Sequence, residues 1–188
     1  MIMKKTYVLL FLLGTLVLPA QSIFDAYANN EEVSYVSISP KMFQMLGKMS
    51  ISSTDPEAAE FLKMVQSISN FKVLVSANGA ISDDMMQWVE QQVSEKELEE
   101  LMTVKDIDSD IHFYVKEGDQ EDLVEQLLMF AFDKSGGASA PVIRGKQVES
   151  VLMLLEGAID LNQISKLTEK MDLPGGEQLK KAGKNKSL

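Results

Sequence analysis

Apolar positions along the chain change period several times, and each change marks an element. Val33–Ser39 is rich in β-formers and predicts a strand. Pro40 then suits the first turn of a helix, on which Met42, Met45, Leu46 and Met49 recur at i, i+3, i+4 and i+7 as a stripe expected to face the core. A second helical stretch opens at Asp55-Pro56, with the aspartate as N-cap, and runs through Ala59, Phe61, Leu62, Val65 and Ile68. Phe71–Ala77 is the next strand, and Ser82 or Asp83 is expected to cap the helix carrying Met85, Met86, Trp88, Val89 and Val93. Leu101–Asp106 and Ile111–Glu117 are extended runs joined by Ile107-Asp108-Ser109-Asp110, the pattern of a hairpin. Glu121–Asp133 reads as a helix, Val148–Glu156 as a strand, and Asp160–Met171 as a closing helix with Asp160 as its N-cap.

Two segments of this pattern match at an offset of 78 residues. Val73-Leu74 followed by Gly79-Ala80-Ile81 recurs as Val151-Leu152 followed by Gly157-Ala158-Ile159, and the same offset lays Val33–Val36 over Ile111–Tyr114. It also lays Met86, Val89 and Val93 over Ile164, Leu167 and Met171. The expected fold is therefore α+β: a mixed β-sheet covered by helices, built from two repeated strand-helix-strand-helix units over about 33–93 and 111–171, like ferredoxin-like halves. Val151–Leu155 is apolar throughout, as a central strand buried on both faces should be, whereas Phe71–Ala77 alternates more and belongs nearer an edge. Each Gly-Ala-Ile is expected to turn the chain tightly from strand to helix.

The first 20 residues change the picture of where the protein works. Lys4 and Lys5 precede a 12-residue uncharged run, Tyr7–Leu18, and Leu18-Pro19-Ala20 supplies small residues for signal peptidase. The run is shorter than the ~20 apolar residues needed to span a bilayer, so residues 1–20 read as a signal peptide, cleaved after Ala20 or alternatively after Ser22, that leaves no stable membrane anchor. The chain has no cysteine and one histidine among 188 residues. That removes disulfides, thiolate catalysis, lipid attachment at a cysteine and any site needing two histidines. Loss of Lys4 and Lys5 takes the net charge from −10 to −12 in a mature chain of 168 residues, a field that opposes phosphate backbones; no nucleic-acid partner is expected. Residues 21–172 then form one domain. Residues 173–188, with Lys180, Lys181, Lys184 and Lys186 against Glu177 alone, read as a disordered basic tail.

Candidate chemistry is sparse. Asp106, Asp108 and Asp110 at i, i+2 and i+4, with Glu117 in the twelfth place, fill part of the spacing of a calcium loop, but Ile111 stands where the turn needs glycine. These three aspartates are the candidate metal ligands, and an acidic turn kept in water is the expectation. Ser69-x-x-Lys72 has the spacing of a serine–lysine dyad without the glycine-rich or second-serine motif that would complete it. His112 and Tyr114 share one face of their strand, and Trp88, whose counterpart at the 78-residue offset is Lys166, is the candidate aromatic anchor; these three make the candidate interaction surface. No catalytic residue, cofactor or cofactor-binding motif is identified.

Several stretches together resemble an uncharacterised family of exported Bacteroidetes proteins, the domain of unknown function DUF4252. They are Ile23–Tyr27, Val33–Phe43, Leu101–Asp106, Phe113–Glu117 and, most specifically, Gly157–Leu167. The resemblance implies an envelope location and the fold type above, and carries no activity or catalytic residues over. The expected function is that of a non-enzymatic periplasmic or secreted protein that binds an envelope protein or ligand, as part of a regulatory or stress-response system. The alternative is a carboxylate- or metal-dependent hydrolase of the cell envelope. Neither the partner nor the oligomeric state is fixed by the sequence.

Overall fold

A computed structural model describes residues 22–49, 59, 62, 65–118, 123–135, 142–143 and 145–161. The proposed signal peptide, the Asp55-Pro56 helix start, residues 136–140 of the low-complexity run Ser-Gly-Gly-Ala-Ser-Ala at 135–140, which reads as a loop, residues 162–171 of the closing helix and the basic tail lie outside the described residues.

The elements run α1 (Ile23–Tyr27), β1 (Val33–Ile38), α2 (Pro40–Met49), β2 (Ile68–Ser76), α3 (Gly79–Glu95), β3 (Glu99–Lys105), β4 (Ser109–Glu117), β5 (Leu123–Asp133), β6 (Val142–Ile143), β7 (Lys146–Gln147) and β8 (Ser150–Asp160). Six strands form one sheet in the order β1-β2-β8-β5-β4-β3, and β6 and β7 pair separately. The fold is α+β, but every pairing in the sheet is antiparallel, where a mixed sheet was expected. The largest cause of the difference is Leu123–Asp133, expected as a helix and found as strand β5. Periodicity cannot separate a short, nearly continuous apolar run from a helix segment. In the sheet, Leu127 and Leu128 are both buried, Leu128 among the residues under α1 and α3 and Leu127 on the opposite face, which only an interior strand allows.

β8 holds the central place expected of Val151–Leu155, and β2 lies one strand in from the edge. The 78-residue offset does not carry a duplicated unit through the described residues. Gly79 begins helix α3, whereas Gly157-Ala158-Ile159 continues strand β8 to Asp160, with Leu161 helical after it. Gly157 is required there for another reason: its φ is +142°, and a Cβ would stand 2.2 Å from the carbonyl oxygen of Ser67.

The sheet has two packed faces. One carries Leu74, Leu128, Phe130, Leu152 and Leu154 beneath α1 and α3, which contribute Phe24, Ile81, Met85 and Val89. The other carries Phe113, Val115, Leu127 and Leu155, with Phe43 and Leu46 of α2 against Ile38 and Phe71. Helix α2 is turned relative to the expected methionine stripe, burying Phe43 and leaving Met42 and Met45 about half exposed, because the aromatic ring is the larger apolar body to remove from water. Helix α3 starts earlier than Ser82 or Asp83: Asn78 is its N-cap, its side chain accepting from the backbone N–H of Ala80 at 2.9 Å and of Ile81 at 3.4 Å. The β3–β4 hairpin forms as expected, with Asp106 N–H donating to the Ser109 carbonyl at 2.8 Å.

Candidate functional site

The hairpin settles the geometry of the acidic triplet. Asp106 accepts from the backbone N–H of Ile107 at 2.7 Å, while Asp110, already in β4, receives the Lys134 ammonium at 2.7 Å. That charge-assisted bond holds the Asp110 carboxyl below its ordinary range. Glu117 lies seven residues beyond Asp110 along β4, roughly 23 Å on an extended rise. The two ends of the calcium spacing are thus held apart by the strand itself, and no three metal-ligating side chains converge among the described residues.

His112 and Tyr114 do come together. Both project from β4 on the α3 side of the sheet, their rings nearly parallel at 6.1 Å, and His112 lies against Phe132 of β5 at 6.3 Å. His112 Nδ1 is 3.1 Å from the Thr103 hydroxyl on β3. Burial, together with the charges of Glu100 and Glu90, raises the Tyr114 phenol. Trp88 belongs to a different part of the same face. Its ring meets Phe24 of α1 edge-on at 5.6 Å and 86°, and it borders an open depression with Tyr27 and Asp84, where the Tyr27 hydroxyl donates to the Asp84 carboxylate. That bond raises the Tyr27 phenol. Trp88 is therefore half-buried, packed on Phe24 with one side facing that depression. Ser69 is an exposed strand residue of β2.

A site that none of these residues marks lies at the end of the sheet where β4 turns to β5. Register places Asn70 of β2 opposite Glu156 of β8, Glu156 opposite Gln126 of β5, and Gln126 opposite Lys116 of β4. Four polar side chains thus cross four adjacent strands in one row, on the same face as Leu74 and Leu128. Asn70 Nδ2 donates to Glu156 Oε2 at 2.8 Å, and Lys116 Nζ donates to Glu125 Oε2 at 2.9 Å. The partnership with Glu125 raises the Lys116 ammonium above its ordinary value. Gln126 is only 5% exposed, and its Nε2 has no hydrogen-bond partner among the described residues. Lys116, Glu125, Gln126 and Glu156 line a cleft of about 600 Å³, with Ser69, Gly118, Leu123, Val124, Gly157 and Ala158 completing its walls. Interior strands normally bury apolar side chains, and the sequence signal for this site was the polar pair Glu125-Gln126 inside an otherwise apolar Leu123–Phe132 run.

The family model described as a domain of unknown function, DUF4252, matches residues 27–167. The chain belongs to the DUF4252 family. That match spans the whole six-stranded sheet of this DUF4252 chain, including the cleft and the aromatic strip on β4. Nothing among the curated proteins and nothing among the solved structures matches it. No helix of the described residues is long and apolar enough to cross a membrane.

Proposed function

We propose that this DUF4252 protein is a non-catalytic binding module, exported by a signal peptide into the envelope of a Bacteroidetes cell, and that the cleft at the β4–β5 end is its binding site. The observation that carries this reading is Gln126. A buried amide N–H₂ left without an acceptor costs about 1–3 kcal/mol, and such a group at the floor of a cleft becomes favourable when a ligand supplies the acceptor. Around it, the part-buried Asn70–Glu156 bond orients one wall before any ligand arrives, while Lys116 pairs with Glu125 in solvent.

The test is titration of the protein with the low-molecular-weight fraction of the source organism's envelope, read from the glutamine side-chain amides in a proton–nitrogen correlation spectrum. A saturable shift of the Gln126 pair, missing in Gln126→Met, is expected. Saturable shifts elsewhere with the Gln126 pair unmoved would place binding outside the cleft. A second reading draws on Glu125 and Glu156 lining one cleft, the arrangement a carboxylate-dependent hydrolase of the envelope uses. It predicts chemical conversion of a component of that fraction, lost in Glu156→Gln. Export is checked separately, by a mature terminus at Gln21 or Ile23 in the mass spectrum of the periplasmic or secreted form.

A further inference from the structure

We infer that the cleft takes a neutral, hydroxyl-rich ligand, a saccharide, held by hydroxyl groups that bridge Gln126 and Glu156; this rests on the cleft being the binding site. Gln126 Nε2 offers two protons and needs an acceptor. Glu156, directly opposite it, is a carboxylate with about four acceptor sites, of which Asn70 engages one side, so it keeps lone pairs open to further donors. A hydroxyl can engage both through a single oxygen, accepting from the amide while donating to the carboxylate.

Charge narrows the class from both sides. Among the described residues three charged groups line the cleft, the carboxylates of Glu125 and Glu156 and the ammonium of Lys116, in a protein of net charge −10. Phosphate, sulfate and carboxylate ligands are therefore disfavoured. A cation would suit Glu156 but has no lone pair for the Gln126 amide, which would stay buried and unpaired.

Strand position separates a saccharide from an extended peptide. A peptide recognised by strand addition needs a free backbone edge, and β2, β8, β5 and β4 are all interior to the sheet, with neighbours on both sides. Recognition on these strands therefore falls mainly to side chains. Adjacent strands stand about 4.8 Å apart, so the row from Asn70 to Lys116 presents polar groups over more than one sugar ring. Leu123 and Ala158 supply apolar wall for the C–H faces.

The experiment uses the full chain and a panel of soluble probes: neutral oligosaccharides of glucose, galactose, mannose and N-acetylglucosamine, with glucuronate, glucosamine and a capped dipeptide as comparisons. Saturable movement of the Gln126 side-chain pair by a neutral oligosaccharide is expected, with affinity falling about tenfold or more in Gln126→Met and in Glu156→Gln. Glucuronate should bind more weakly than its neutral counterpart. Retained melting midpoints show that each variant is folded; if one unfolds, the other carries the result. Equal or tighter binding of glucuronate, or a response to the dipeptide alone, overturns the saccharide assignment. If the whole panel leaves the Gln126 pair unmoved while the envelope fraction still shifts it, the saccharide class fails and the binding cleft stands. If neither moves it, both fail.

Discussion

Two polar rows cross the α3 face of the sheet, at opposite ends of its strands, and they are finished in opposite ways. At one end Ser76 lies opposite Ser150, Ser150 opposite Phe132, and Phe132 opposite Asp110. Ser76 and Ser150 are essentially inaccessible, and each polar side chain of the row has a partner within the fold. The Ser76 hydroxyl donates to the Asn78 carbonyl and accepts from the Asn78 N–H at 3.0 Å; the Ser150 and Ser82 hydroxyls meet at 2.8 Å; Asp110 takes the Lys134 ammonium. These bonds tie the N-terminus of α3 to the sheet. At the other end, Asn70, Glu156, Gln126 and Lys116 make the same kind of row, but the buried amide in its middle has no partner among the described residues. A satisfied row contributes to stability, whereas an incomplete one destabilises the free protein slightly and leaves a specific vacancy in hydrogen bonding that a ligand can fill.

The largest effect should come at the cleft end, from backbone and not from polar atoms. Gly157→Ala places a Cβ against the Ser67 carbonyl and forces a non-glycine residue into a positive-φ conformation. We expect a loss of about 3 kcal/mol, read from the urea midpoint. Ser76→Ala comes next, at about 2 kcal/mol, because it removes the hydroxyl that serves both backbone groups of Asn78 in a fully buried place. A loss as small as that of an exposed serine would show that the finished row does not anchor α3.

Asp110 gives the finished row a pH signature. Its carboxyl is lowered in the folded state, first by the hydrogen bond from Lys134. A group with a depressed folded pKa binds fewer protons folded than unfolded at intermediate pH. Its contribution is therefore fully present above the unfolded value of about 3.9, and is lost as pH falls through the lower folded one. Lys134→Met should flatten this part of the acid branch of stability against pH and leave the neutral branch parallel to wild type.

Much of the frame was legible in the sequence, and the misreadings have identifiable causes. β1, the start of α2, β2, the β3–β4 hairpin and the central place of Val151–Leu155 follow from local signals: a proline at a helix start, β-formers between breakers, an acidic turn. Leu123–Asp133 was unreadable locally, since burial on both faces erases the alternation that distinguishes a strand. Gly157 was misassigned for a related reason. A glycine after a strand looks the same whether it ends that strand or admits a neighbouring backbone, and only the approach of Ser67 decides. The cleft was missed because its row is assembled from residues as far apart as Asn70 and Glu156, brought opposite each other by register alone. His112 and Tyr114 are legible as neighbours from strand alternation, whereas the place of Trp88 depends on how α1 and α3 pack on the sheet.

The smallest effect is expected where the comparison is sharpest. Gln126→Met keeps the volume and unbranched shape of the side chain while removing the amide. In the serine row such a change would break bonds already made; at Gln126 it removes a donor that has no partner among the described residues and an equally buried polar body. The lost desolvation penalty offsets whatever the remaining amide oxygen contributes, so stability should stay within about 0.5 kcal/mol of wild type or rise. The measurement is a urea denaturation curve with an unchanged slope. A loss of 2 kcal/mol or more, on the order of that expected for Ser76→Ala, would mean that the amide is already engaged in the free protein. Both rows would then be structural, and the cleft would lose the group that distinguishes it.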